Sequence, residues 1–96
     1  YVSIGNSDDK LPQSEWSTFC LDVTAEVAGL GHVHGAWFSA PASRYQNACF
    51  CVEFVDEVAM LQARGAAREL ARKYRQGSIA WAVVAETKLL TAPEEA

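Results

Sequence analysis

A chain of 96 residues, half of them hydrophobic, is long enough for one globular domain with its own core, because disulfides or metals become near-obligatory only below about 40 residues. Three cysteines is an odd number, no apolar run approaches the roughly 18 residues of a membrane span, and no secretory leader pattern opens the chain. These features argue against a disulfide-stapled or membrane-spanning protein and set the expectation of a reducing cytoplasm.

The net charge of −4 is unevenly spread. Residues 64–75 carry +4, through Arg64, Arg68, Arg72, Lys73 and Arg75 against Glu69, and the rest of the chain carries −8. The sequence opens on Tyr1 rather than Met, so its numbering is expected to omit a start residue or a tag.

Tyr1 to Gly5 reads as a short first strand with Val2 and Ile4 inward, ended by the turn formers Asn6, Ser7, Asp8 and Asp9. From Pro12 to Gly29 the residues Trp16, Phe19, Cys20, Val23 and Val27 fall at i, i+3, i+4, i+7 and i+11, the single stripe of an amphipathic helix. Leu11 and Trp16 have the spacing of a hydrophobic staple, Glu15 suits the positive end of the helix dipole, and Gly29 or Gly31 supplies the stop. The outer face of this helix is acidic through Glu15, Asp22 and Glu26. Cys20 lies in the stripe and reads as a small buried hydrophobe rather than a nucleophile.

Two strand-like runs follow, from His32 to Phe38 and from Ala48 to Val55, joined by a loop holding Pro41, Ser43 and Asn47. Period-two alternation puts Phe50, Val52 and Phe54 on one face of the second run and Cys49, Cys51 and Glu53 on the other. In the first run it puts Val33, Gly35 and Trp37 inward, leaving His32, His34, Ala36 and Phe38 with the cysteines. An antiparallel register in which opposed numbers sum to 85 sets His34 against Cys51 and His32 against Glu53. Two imidazoles and two thiols are a ligand set for zinc on paper, yet His-x-His and Cys-x-Cys on flat strands lack the Cys-x2-Cys knuckle geometry. The plainer reading is small strand residues with histidines at a sheet edge, and no metal is expected.

Asp56 can cap a second helix reaching Arg75, with Met60, Ala63, Ala67, Leu70, Ala71 and Tyr74 inward and the alanines forming a close-packing face. Gly65 marks either close approach to the sheet or a local weakness. Arg64, Arg68, Arg72 and Arg75 fall at i, i+4, i+8 and i+11 and form one exposed basic stripe. A solvated helix face is the ordinary explanation, and a surface for phosphate or an acidic partner is the functional one. Gln76-Gly77 ends the helix. Ser78 to Glu86 is a final strand with Ile79, Trp81 and Val83 inward and Ala80, Ala82 and Val84 outward. Residues 91–96 read as a frayed acidic tail behind a single domain spanning 1–90.

The order β-α-β-β-α-β with two amphipathic helices predicts an α+β, ferredoxin-like plan: a four-stranded antiparallel sheet, in the order 4-1-3-2, with both helices on one face. The core is then Val2, Ile4, Trp16, Phe19, Val23, Val27, Val33, Trp37, Phe50, Val52, Phe54, Leu70, Tyr74, Ile79, Trp81 and Val83. The helix-free face would carry Tyr1, Ser3, His32, His34, Ala36, Phe38, Cys49, Cys51, Ala80, Ala82 and Val84, with Glu53 nearby. A half-solvated sheet usually alternates apolar with polar or charged residues, whereas this one alternates large apolar with small apolar. Such a patch marks an interface, and small residues suit close sheet-to-sheet packing. The leading expectation is a homodimer, or a complex with another protein, through the open face.

The strings Tyr45-Gln46-Asn47-Ala48-Cys49-Phe50-Cys51 and Tyr74-Arg75-Gln76-Gly77-Ser78-Ile79-Ala80-Trp81 resemble small ferredoxin-like proteins of unknown function from bacteria and bacteriophages. The resemblance covers the whole plan. It implies the class of small phage or mobile-element proteins that bind and block a host or defence protein, and it implies no catalytic residue. The expectation is therefore a non-enzymatic protein-binding module without a cofactor.

Two other readings stand beside it. A thiolate from Cys49 or Cys51 with His32 or His34 as base would make a thiol enzyme or a metal site, but no sequence feature supplies an oxyanion hole, a Gly-rich phosphate loop or paired carboxylates. Nucleic acid could bind the basic helix. RNA-recognition sheets stack bases on aromatics of the two central strands, and here the third strand offers Cys49 and Cys51 while the basic residues lie across the domain.

Overall fold

Strand β1 (Val2–Gly5), helix α1 (Gln13–Leu30), strands β2 (Gly31–Phe38) and β3 (Asn47–Phe54), helix α2 (Glu57–Lys73) and strand β4 (Ala80–Trp81) follow one another in the computed structural model, which describes residues 1–6, 11–40, 42–43, 45–86 and 88–93. The strands form one antiparallel sheet in the order β2-β3-β1-β4. This is the expected α+β, ferredoxin-like plan, with β1 and β3 central and the helices packed on one another across one face.

Every apolar member of the α1 stripe is buried: Trp16, Phe19, Cys20, Val23 and Val27. Phe19 anchors the contact between the helices, stacked 4.7 Å from the Tyr74 ring and edge-on to Trp16. Against this stripe α2 presents Ala63, Ala67 and Ala71, all buried, whose short side chains let the helices come close. Below them Val2, Ile4, Ala48 and Phe50, paired as Val2 with Phe50 and Ile4 with Ala48, form the floor of the core.

The helix ends are set locally. Asp56 caps α2 by accepting a hydrogen bond from the Ala59 N–H at 2.8 Å. At its other end the Gln76 N–H donates to the Ala71 carbonyl and the Arg75 N–H to the Arg72 carbonyl, with Arg75 left-handed at φ 60°. That is a Schellman closure in which arginine occupies the position glycine usually takes. Helix α1 stops at Leu30 because the chain turns straight into β2. The Gly31 backbone there is extended, and a Cβ on it would lie 2.8 Å from the Glu53 carbonyl oxygen and 2.8 Å from Phe54.

Asn6, expected as a turn former, is a buried anchor instead. Its side chain accepts from the Leu11 N–H at 3.0 Å and donates to the Leu11 carbonyl at 2.9 Å, while its own N–H donates to the Gln46 carbonyl. It thereby ties the end of β1 to the start of α1 and to the β2–β3 loop. The remainder of that predicted turn, Ser7 to Asp9, lies outside the described residues, as do Pro41 of the hairpin loop and the last three residues of the predicted tail.

Four expectations are corrected. The expected register, with opposed numbers summing to 85, holds for His32–Glu53 and Val33–Val52, and then a β-bulge between Val33 and Gly35 shifts it by one residue. Gly35, not His34, opposes Cys51. Beyond the bulge every side chain changes face: Trp37 leaves the predicted core to stand opposite Cys49, and Ala36 and Phe38 leave the open face to pair with Phe50 and Ala48. Phe38 meets Phe50 edge to face at 5.8 Å.

The last strand is two residues long rather than nine, and Ala82 extends its pairing by one residue through backbone bonds exchanged with Tyr1. Val83, predicted to be core, is exposed. Gly65 has nothing within 4 Å of a virtual Cβ, so it marks no close approach. Arg75 falls beyond the end of α2 and leaves the predicted basic stripe.

Candidate functional site

On the helix-free side the registers build two rows across the sheet. The first runs Trp37, Cys49, Ser3, Ala80, one residue from each strand. The second runs Gly35 and Cys51 on β2 and β3, then Tyr1 and Ala82, joined through their backbones. Small side chains fill the first row beyond Trp37 and flank Tyr1 in the second, and Trp37 and Tyr1 rise from them at 58% and 52% exposure. Cys49 and Cys51 are half-buried between these neighbours.

Charge enters only at the end of this face. His34 stays on the open side with His32, where its Nε2 reaches Glu53 Oε1 at 3.0 Å and the His32 ring stands edge-on to it with centroids 4.5 Å apart. His34 is committed to Glu53 rather than to Cys51. Among the described residues no group of three or more His, Cys, Asp and Glu is arranged to hold a metal ion.

Sequence reasoning therefore places Tyr1, Ser3, His32, His34, Cys49, Cys51, Glu53, Ala80 and Ala82 on the face where the structure has them. It loses Trp37, the largest side chain there, to the core. The signal for it was Gly35: a glycine inside a strand marks a bulge, and a bulge reverses the alternation that follows. Val84 lies past the end of β4, exposed, and lines a hollow of about 730 Å³ with Tyr1, Cys51 and Ala82.

On the opposite side a groove of about 840 Å³ separates α2 from β4 and the chain following it. Ile79, Trp81 and Val83, alternate residues of the last strand and its continuation, line one wall, and Ala67 and Ala71 of α2 line the other. Trp81 is held by stacking on Phe54, with centroids 6.1 Å apart. Arg64, Arg68 and Arg72 form the rim along the helix.

Among the described residues these three guanidinium groups have no ion pair or hydrogen bond, while the neighbouring cations are engaged: Arg75 with Glu15 at 2.7 Å and Lys73 with Asp22 at 3.3 Å. Asp22 also accepts the Tyr74 hydroxyl hydrogen bond, which holds its carboxyl below the usual carboxylate range. Burial, with Asp22 as the second cause, pushes the Tyr74 phenol up to about 12. Burial likewise pushes the Cys20 thiol up to about 11, so at neutral pH it is a packed thiol and not a nucleophile.

Comparison with protein-family models, curated proteins and solved structures returned no match.

Proposed function

We propose that the protein is a non-enzymatic protein-binding module that works through its open sheet face, first of all with a second copy of itself. One observation carries this reading: Trp37 stands more than half exposed at the edge of a sheet face, beside a row of small side chains formed by Cys49, Ser3 and Ala80. Tryptophan is the residue most enriched among interface hot spots, and a hollow of small side chains is the shape that receives one. A two-fold axis across the face would set Trp37 of each copy over the Ser3, Cys49 and Ala80 hollow of the other, a self-complementary arrangement. The class of action is that of a small adaptor or inhibitor occupying a surface of a host or defence protein, as the resemblance to bacteriophage proteins implies.

The test is the native mass by light scattering, for the wild type and for Trp37→Asp and Cys51→Arg. A wild-type dimer that both substitutions split supports the reading. Loss of a hot-spot tryptophan should raise the dimer dissociation constant by about 30-fold or more. A wild-type monomer at concentrations of about 0.1 mM, well above ordinary dimer dissociation constants, rules out self-association through this face.

A further inference from the structure

The groove beside α2 offers a chemistry that the open face lacks, guanidinium groups that are free among the described residues and lie along an apolar wall. We infer that the groove between α2 and β4 captures an extended acidic peptide, which lies between the two walls, places alternate apolar side chains on Ile79, Trp81 and Val83, and offers the carboxylates of its opposite face to Arg64, Arg68 and Arg72.

Two features point to this ligand class. Val83 is 64% exposed although it belongs to the alternation that makes Ile79 and Trp81 part of the wall, so the wall has an apolar position left uncovered among the described residues. The three rim arginines have no partner among the described residues, so a ligand that neutralises them displaces no existing ion pair.

The repeat distances also agree. Arginines four apart on a helix are separated by about 6 Å along its axis, and alternate residues of an extended chain by about 6.8 Å. Successive carboxylates of an alternating acidic and apolar strand therefore meet successive arginines. A nucleic acid would use the same cations but leaves the apolar wall unused.

The experiment is a titration of the full chain with a fluorescein-labelled octapeptide alternating glutamate with valine and leucine. It is read by anisotropy and by backbone amide shifts in NMR. Saturable binding is expected, with the largest shifts at residues 79–83. Arg68→Glu together with Arg72→Glu should weaken it about 10-fold or more. Lys88→Glu reverses one charge outside the groove and should change affinity by less than about 2-fold. Retained helix content by circular dichroism shows that the reversed variants still fold. Equal binding of the glutamine version of the peptide, shifts confined to the open sheet face, no binding at low salt, or tighter binding of oligodeoxythymidylate than of the peptide would each overturn the proposal.

Discussion

Replacing Tyr74 with phenylalanine removes one oxygen from the seam between the helices and leaves the ring in place. Tyr74 is 5% exposed, stacks on Phe19, and donates its hydroxyl to Asp22, which Lys73 also reaches at 3.3 Å. A hydrogen bond to a charged partner is worth about 1.5–3 kcal/mol. The Asp22 side chain is 33% exposed and keeps Lys73 and water after the change, so the loss falls at the lower end, about 1–2 kcal/mol. For a domain of this size each kcal/mol lowers Tm by about 4–8 °C.

The pH dependence separates the charged bond from mere packing. Asp22 has a depressed pKa in the folded state, so its share of the stability is present above the unfolded carboxylate value of about 4 and is lost as pH falls through the lower folded value. The Tyr74 value is raised, so its share is complete below the ordinary value of 10.0 and is lost as pH rises toward about 12. The stability difference between wild type and Tyr74→Phe should therefore be flat between these limits and shrink on both sides. Urea unfolding followed by circular dichroism at a series of pH values measures it, with an unchanged m-value as the control. A difference under about 0.5 kcal/mol at neutral pH, the scatter of ordinary surface substitutions, would refute the reasoning. So would a difference that stays the same from acid to alkaline pH.

The other predictions concern the backbone anchors. Gly31→Ala forces a methyl against the Glu53 carbonyl and Phe54 at 2.8 Å and should cost about 2–3 kcal/mol by urea unfolding, whereas Gly65→Ala meets nothing and should stabilise α2 by about 0.5–1 kcal/mol. Asn6→Ala strands both backbone groups of the buried Leu11 and should cost about 2–4 kcal/mol, with Asn6→Asp, which keeps only the acceptor, in between. Hydrogen exchange should show the Leu11 amide losing protection first in the Asn6→Ala protein.

What the sequence makes legible is what a period encodes. The five buried residues of α1, the alanine face of α2 and the alternation of β3 repeat regularly enough to give the plan and the sheet order before any coordinate is known. What it hides are the single residues at which a period stops. Gly35 reverses the faces of β2, which moves Trp37 from the predicted core to the open face and turns Phe38 to the other face, against Phe50. Arg75 has helical spacing from Arg64 but sits past the helix end, where the left-handed turn aims it at Glu15. Asn6 has the composition of a turn and the role of a buried bracket, because its amide matches a backbone donor and acceptor that five residues of sequence separation bring round to it. In each case the deciding interaction is with a distant or turned backbone, which local pattern does not record.

The same termination of α2 decides how the charge of the chain is used. In the sequence, four arginines and a lysine form one basic block facing an acidic first helix, and mutual neutralisation would be the simplest outcome. The structure divides them. Arg75 and Lys73, at and beyond the last turn, meet Glu15 and Asp22 of α1 and close the seam between the helices. Arg64, Arg68 and Arg72 line the groove beside β4, and among the described residues none of them makes an ion pair. Surface ion pairs contribute little to stability, so the first group can be spared more easily than the Tyr74 bond beside it. The second group contributes nothing to the fold through pairing, and three like charges one helical turn apart repel one another at a modest cost. An anionic ligand relieves that cost, and the uncharged hollow around Trp37 on the far side cannot attract the same ligand. The two faces thus offer different chemistry, small and apolar beside Trp37 on one side and cationic beside an apolar wall on the other, so the two sites are tested with different ligands.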